Sequence, residues 1–115
     1  MSPGETTVPR RGEVWWVAFD PSIGGEIRKT RPAIIISNDT ANQLLNRVQV
    51  VPVSSKVTKL YPAEAYITVN GARRKAMADQ IQTAGKLRLR QKIGMLDPVD
   101  LAGVERAVKT QLALL

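Results

Sequence analysis

The sequence predicts a mainly β, α+β domain: a small, strongly bent antiparallel sheet or barrel with one late helix packed on it. Three observations carry this. Short β-branched or aromatic runs recur as far as Thr83, each bounded by Gly, Pro or Asn-Gly turn signals. Only the last segment has a long apolar stripe at helical spacing, and it follows a capping pair, Asp97-Pro98. The chain has 115 residues, which suits one core of modest size. A polar, proline-containing stretch over 1–9 is expected to be a flexible tail, and 10–115 a single domain.

The elements follow in order. Glu13 to Asp20, EVWWVAFD, reads as a strand, with Trp15, Val17 and Phe19 on one face and Trp16 and Ala18 on the other. Both tryptophans are expected to pack in a core or dimer contact rather than stack on bases. Arg31 to Ser37 is a second strand, apolar on both faces and therefore central. Asn38-Asp39-Thr40 offers a cap for a short helix or irregular excursion over Ala41 to Asn46. Val48 to Val53 is a third strand, delivering Ser54 and Ser55 to its end. Lys56 to Pro62 is a basic loop, Ala65 to Val69 a fourth strand, and Asn70-Gly71 a turn. Ala76 to Thr83 is expected to be the fifth strand, interrupted by Asp79 and Gln80, which either join a structural network or face a ligand. Gly85 to Lys92 alternates Lys86, Arg88, Arg90 and Lys92 with leucines; as a strand this makes one cationic face, as a helical turn it spreads the charge. The final helix has Asp97 as N-cap, Pro98 first, and Leu101, Val104, Val108, Leu112 and Leu115 as its packing stripe.

Composition narrows the chemistry. The chain contains no Cys and no His, so disulfides, Ser-His-Asp and Cys-His catalysis and His-rich zinc sites are excluded. The net charge is +7. Between Arg28 and Lys92, thirteen Lys or Arg face only Asp39, Glu64 and Asp79, so this segment alone carries 13 − 3 = +10. Such a field attracts polyanions, nucleic acid first, although basic surfaces also serve solubility. No run reaches the roughly 18 apolar residues of a membrane span, and no secretory profile is present, so a cytoplasmic location without membrane contact is expected.

The richest chemistry lies in Asp20 to Pro32, DPSIGGEIRKTRP. Asp20-Pro21 begins a turn, Gly24-Gly25 permits close backbone approach, and Glu26 stands among Arg28, Lys29 and Arg31. Pro32 holds Arg31 extended at the mouth of the apolar run that follows. Together with VVPVSSK (50–56) and ADQIQT (78–83) followed by KLRLRQKIGMLD, the segment RGEVWWVAFDPSIGGEIRKTRPAIIIS (11–37) resembles the MazF/PemK family of toxin endoribonucleases of bacterial toxin–antitoxin systems. The resemblance spans nearly the whole chain.

It implies an SH3-like barrel with a C-terminal helix, a homodimer, no cofactor or metal, a MazE-like antitoxin as partner, and cleavage of single-stranded RNA at a short sequence. By the same resemblance the essential arginine falls on Arg31 and the essential threonine on Ser54. Serine keeps the hydroxyl and loses the methyl that restricts its rotamer, and Ser55 is an alternative. Glu26 matches the loop carboxylate implicated in activity, as base or as a tether for Arg28 or Arg31. Gln80 matches a position near the RNA.

The chemistry is consistent with these residues. RNA carries its own nucleophile, the 2′-OH, so alignment, charge neutralisation and proton transfer suffice. A guanidinium pairs bidentately with a phosphate and is a poor proton carrier at neutral pH, so Arg31 suits electrostatic stabilisation. The products are then a 2′,3′-cyclic phosphate and a 5′-OH. Arg28, Lys29, Ser55, Lys56, Lys59, Arg73, Arg74 and Gln80 are the expected RNA contacts; Lys56, Lys59, Arg73, Arg74 and Lys75 are either phosphate-contacting or merely solvated. Two other readings stand beside this one. A CcdB-like gyrase poison places function in the last helix and makes Arg31 dispensable; a non-catalytic SH3-like RNA-binding module binds in a salt-dependent way without turnover.

Overall fold

The computed structural model describes residues 8–19 and 29–115. Its strands are β1 (Glu13–Ala18), β2 (Thr30–Ile35), β3 (Arg47–Ser54), β4 (Glu64–Val69), β5 (Ala72–Met77), β6 (Gln82–Gly85) and β7 (Leu89–Met95); its helices are α1 (Asp39–Leu44) and α2 (Pro98–Leu112). All pairings are antiparallel, in the order β4-β5-β3-β2-β1-β7, with β6 also on β3. The sheet curls into a half-barrel closed on one face by α2.

β3 is the hub. One edge pairs with β2 through Ala33↔Pro52, Ile34↔Val51 and Ile35↔Val50. The other edge is shared: β6 takes Arg47 to Val50, and β5 takes Val53 and Ser54. Pro52, which has no N–H to give, falls in the gap between those two partners, where a missing donor costs least. A 3-10 turn at Ala78–Gln80 carries the chain from one partner to the other, with Asp79 and Gln80 exposed at the corner. The single fifth strand expected over Ala76 to Thr83 is therefore two strands and a turn, and seven strands replace five among the described residues. The alternation after Gly85 resolves into both alternatives in succession: a 3-10 turn at Lys86–Arg88, then β7.

Both faces of β2 are buried, as expected for a central strand; Ala33, Ile34 and Ile35 are each 0% exposed. Val14, Ile34, Val51, Ile67 and Ala76 meet Val104 of α2 on one side, while Trp15, Val17, Ala33, Ile35, Val48 and Val50 pack on the other. Asp97 caps α2 by accepting from Asp100 N at 2.8 Å, and Asp100 Oδ2 in turn accepts from Thr68 N at 2.8 Å, tying the helix to β4. The stripe fails at its end. Leu101, Val104 and Val108 pack, but the helix outruns the sheet and leaves Leu112 and Leu115 exposed. Asn38 caps α1 through Ala41 N at 2.8 Å, so that helix starts two residues earlier than expected.

Candidate functional site

Strand register brings the expected residues together. Continuing the β2–β3 pairing from Ala33↔Pro52 by two residues sets Arg31 level with Ser54, and Ser54 itself pairs with Lys75 of β5. Where the strand ends diverge, a cavity of about 500 Å³ opens. β1 contributes Trp16, β2 Arg31 and Pro32, the end of β3 Val53 to Lys56, and β5 Arg74 and Met77. Its charged lining among the described residues is entirely cationic: Arg31, Lys56 and Arg74. Ser54 Oγ accepts from Lys56 N at 3.1 Å, which caps the turn and fixes the oxygen while leaving the O–H free to donate to a ligand.

β1 is held from beneath. Glu13, 2% exposed, accepts from Arg10 N at 2.8 Å and Trp15 Nε1 at 3.0 Å with one oxygen, and its other oxygen lies 2.9 Å from Lys92 Nζ on β7. Burial pushes its carboxyl upward, but the bonds from Lys92, Arg10 and Trp15 outweigh that and hold it below its ordinary value. Trp15 is thereby locked inward, and alternation turns Trp16 outward, 39% exposed, onto the cavity. Trp15 packs in the core as expected, whereas Trp16 lies outside the core, on the cavity.

Of the residues expected at the site, the cavity collects Arg31, Ser54, Ser55, Lys56 and Arg74. Lys29, Lys59, Arg73 and Gln80 are exposed but do not line it. The Lys59 ammonium lies 5.1 Å from the Tyr61 ring centre, Arg73 lies 4.6 Å from that of Tyr66, and Gln80 Nε2 reaches Met77 Sδ at 3.7 Å. Glu26 and Arg28 lie outside the described residues. Lys75 is neither solvated nor free for a phosphate: it is buried against Glu64 at 2.9 Å, because its strand position turns it under the loop after Ser55. At the opposite end of β3, Arg47, Lys86, Arg88 and Arg90 surround a second hollow of about 550 Å³, so the positive charge continues beyond the first cavity. The signal for Trp16 was present in the sequence, in the same alternation that sends Trp15 and Val17 inward.

A cationic cavity on a curled sheet fits many anion binders. Residues 10–112, however, match the family described as PemK-like, MazF-like toxins of type II toxin–antitoxin systems. The chain belongs to this family. Among curated relatives of this toxin is the endoribonuclease MazF9 of Mycobacterium tuberculosis, 39% identical over 114 residues that cover 91% of this chain and 97% of the relative. The endoribonuclease EndoA of Bacillus subtilis is 29% identical over 113 residues, covering 94% and 97%. Among solved structures, MazF of Deinococcus radiodurans superposes with a TM-score of 0.79 at 25% identity, covering 95% of this chain and 100% of that one. A mycobacterial endoribonuclease in complex with its cognate antitoxin shares the fold at a TM-score of 0.77, with 24% identity and coverage of 93% and 97%. No helix among the described residues is long and apolar enough to cross a membrane.

Proposed function

We propose that this endoribonuclease toxin cuts single-stranded RNA at a short sequence, in the cavity between Arg31 and Ser54, without a metal ion. The observation that carries the reading is the convergence of a guanidinium, a fixed hydroxyl, two further cations and an outward tryptophan on one cavity. Arg31 pairs with the scissile phosphate and stabilises the charge that builds on it; Ser54 donates to the same phosphate or orients the 2′-OH. The 2′-oxygen attacks phosphorus and loses its proton to a base, the P–O5′ bond breaks, and the departing O5′ takes up a proton. The products are a 2′,3′-cyclic phosphate and a 5′-OH. Glu26 is the loop carboxylate assigned either to that base role or to holding Arg28 or Arg31, and Glu26→Gln separates the two by its effect on the pH profile. Trp16 stacks a base beside the cut, while Arg74 and Lys56 hold flanking phosphates.

The deciding experiment incubates the purified protein with a long single-stranded RNA in excess EDTA, beside Arg31→Ala and Ser54→Ala, and maps the product ends. Discrete cuts ending in cyclic phosphates, lost in a folded Arg31→Ala, are expected. Intact RNA, or undiminished cutting by Arg31→Ala, refutes the reading. The antitoxin proposed as partner presents an acidic, partly disordered tail that folds over the cationic cavity; an antitoxin that leaves cleavage intact at saturation refutes that. A homodimer is proposed from the exposed Leu112, Leu114 and Leu115 at the end of α2 and beyond it, and sedimentation equilibrium tests it.

A further inference from the structure

The loop between β3 and β4 supplies Ser55 and Lys56 to the cavity, yet it has no regular structure of its own. What orders it comes from the two strands beside it. Ser54, Lys75 and Tyr66 form one row across β3, β5 and β4, through the pairs Ser54↔Lys75 and Tyr66↔Lys75. From that row, Lys75 Nζ donates to Lys59 O at 2.9 Å and pairs with Glu64 Oε1 at 2.9 Å. The same Glu64 oxygen accepts from Tyr61 N at 2.9 Å, and Tyr66 Oη donates to Val57 O at 2.8 Å. The Lys75 ammonium also lies 5.5 Å from the centre of the Tyr61 ring. The loop backbone is thus gripped at Val57, Lys59 and Tyr61, the last two by the Lys75 and Glu64 side chains, which are 9% and 8% exposed.

We propose that Lys75 and Glu64 are positioning residues, a clasp that holds the loop over 55–63 in place as the recognition wall of the Arg31–Ser54 cavity. The inference rests on the function proposed above for that cavity. A buried ion pair is a poor device for stability, since desolvation consumes most of its attraction and apolar replacements are often neutral or stabilising. Its distinctive contribution here is directional: two bonds to loop backbone that an apolar pair cannot make. A wall fixed before RNA arrives spares the substrate the cost of ordering it. The clasp therefore acts on binding and on the choice of sequence, while the chemistry at Arg31 and Ser54 proceeds as before.

The test is the double variant Lys75→Met with Glu64→Met, which removes both charges together and leaves neither buried alone. The expected result is a melting temperature close to wild type, faster hydrogen exchange across residues 56–61, a KM for a short RNA raised about tenfold, and kcat within about twofold. Lys75→Arg with Glu64 intact, which keeps the charge and donors, is expected to leave the wild-type KM unchanged. Tyr66→Phe releases Val57 alone and moves KM the same way by less; it carries the test should the double variant not fold. Unchanged exchange over 56–61 in the folded variant overturns the clasp. Faster exchange with an unchanged KM, or a lowered kcat at constant KM, overturns its role in recognition. A wild-type protein that cuts no RNA removes the proposed function instead, and the exchange measurement still judges the clasp.

Discussion

Replacing Glu13 by Gln tests how β1 is held beneath the cavity. The carboxylate is 2% exposed and takes bonds from Arg10 N, Trp15 Nε1 and Lys92 Nζ. An amide oxygen can still accept from Arg10 and Trp15, but a bond to a charged acceptor exceeds one to a neutral acceptor by roughly 1 kcal/mol. Two such bonds give about 2 kcal/mol. The Lys92 side chain is 45% exposed, so water screens that pair and it adds less than about 1 kcal/mol. The expected loss is about 2–3 kcal/mol, or a melting temperature lower by roughly 10 °C for a domain of this size. The dependence on pH follows from the lowered carboxyl. A group whose folded value lies below its unfolded one contributes stability that is complete above the ordinary value of 4.5 and is lost as pH falls through the folded value. Urea unfolding of both proteins near neutral pH and in strong acid should show a wide gap that narrows below that ordinary value. Equal midpoints near neutral pH, or a gap of the same width in acid, refute the reasoning.

Trp16→Ala is expected to leave the unfolding midpoint within about 1 kcal/mol of wild type, since the ring is 39% exposed, while weakening RNA binding by roughly 1–3 kcal/mol; fluorescence anisotropy with an uncleavable 2′-deoxy substrate measures this. Arg74→Gln removes one phosphate contact, and the slope of log K against log salt should fall by about 0.7 in the same assay. Ile67→Ala empties a site 2% exposed beneath α2 and should cost about 2–5 kcal/mol, read by chemical unfolding at unchanged cleavage specificity.

The sequence makes the architecture legible where a local pattern has one physical outcome. β-branched runs became strands, Asp97-Pro98 became a capped helix start, and the alternation in EVWWVAFD assigned each tryptophan its face. It misled where two elements compete for one partner. Ala76 to Thr83 has the composition of a strand throughout, and only the eight-residue length of β3, shared along one edge, forces a corner at Asp79 and Gln80. The α2 stripe could not reveal that the sheet ends before Leu112. At the site, Arg31, Ser54 and Arg74 were legible as residue types, but Lys75, in a run with Arg73 and Arg74, was not separable from them. Burial depends on its cross-strand partners Ser54 and Tyr66, which no local pattern encodes.

The shared edge of β3 also bears on how this toxin is born. Its pairings join residues far apart in the chain, Arg47 with Gly85 and Val53 with Ala76, and such contacts form late because the intervening chain must first be closed into a loop. Trp16, Arg31, Ser54 and Arg74 arrive on four different strands, so the cavity does not exist until the hub is complete. On the site proposed above, a partly refolded chain should not cut RNA, and cleavage should reappear in the same kinetic phase that buries Trp15, never ahead of it.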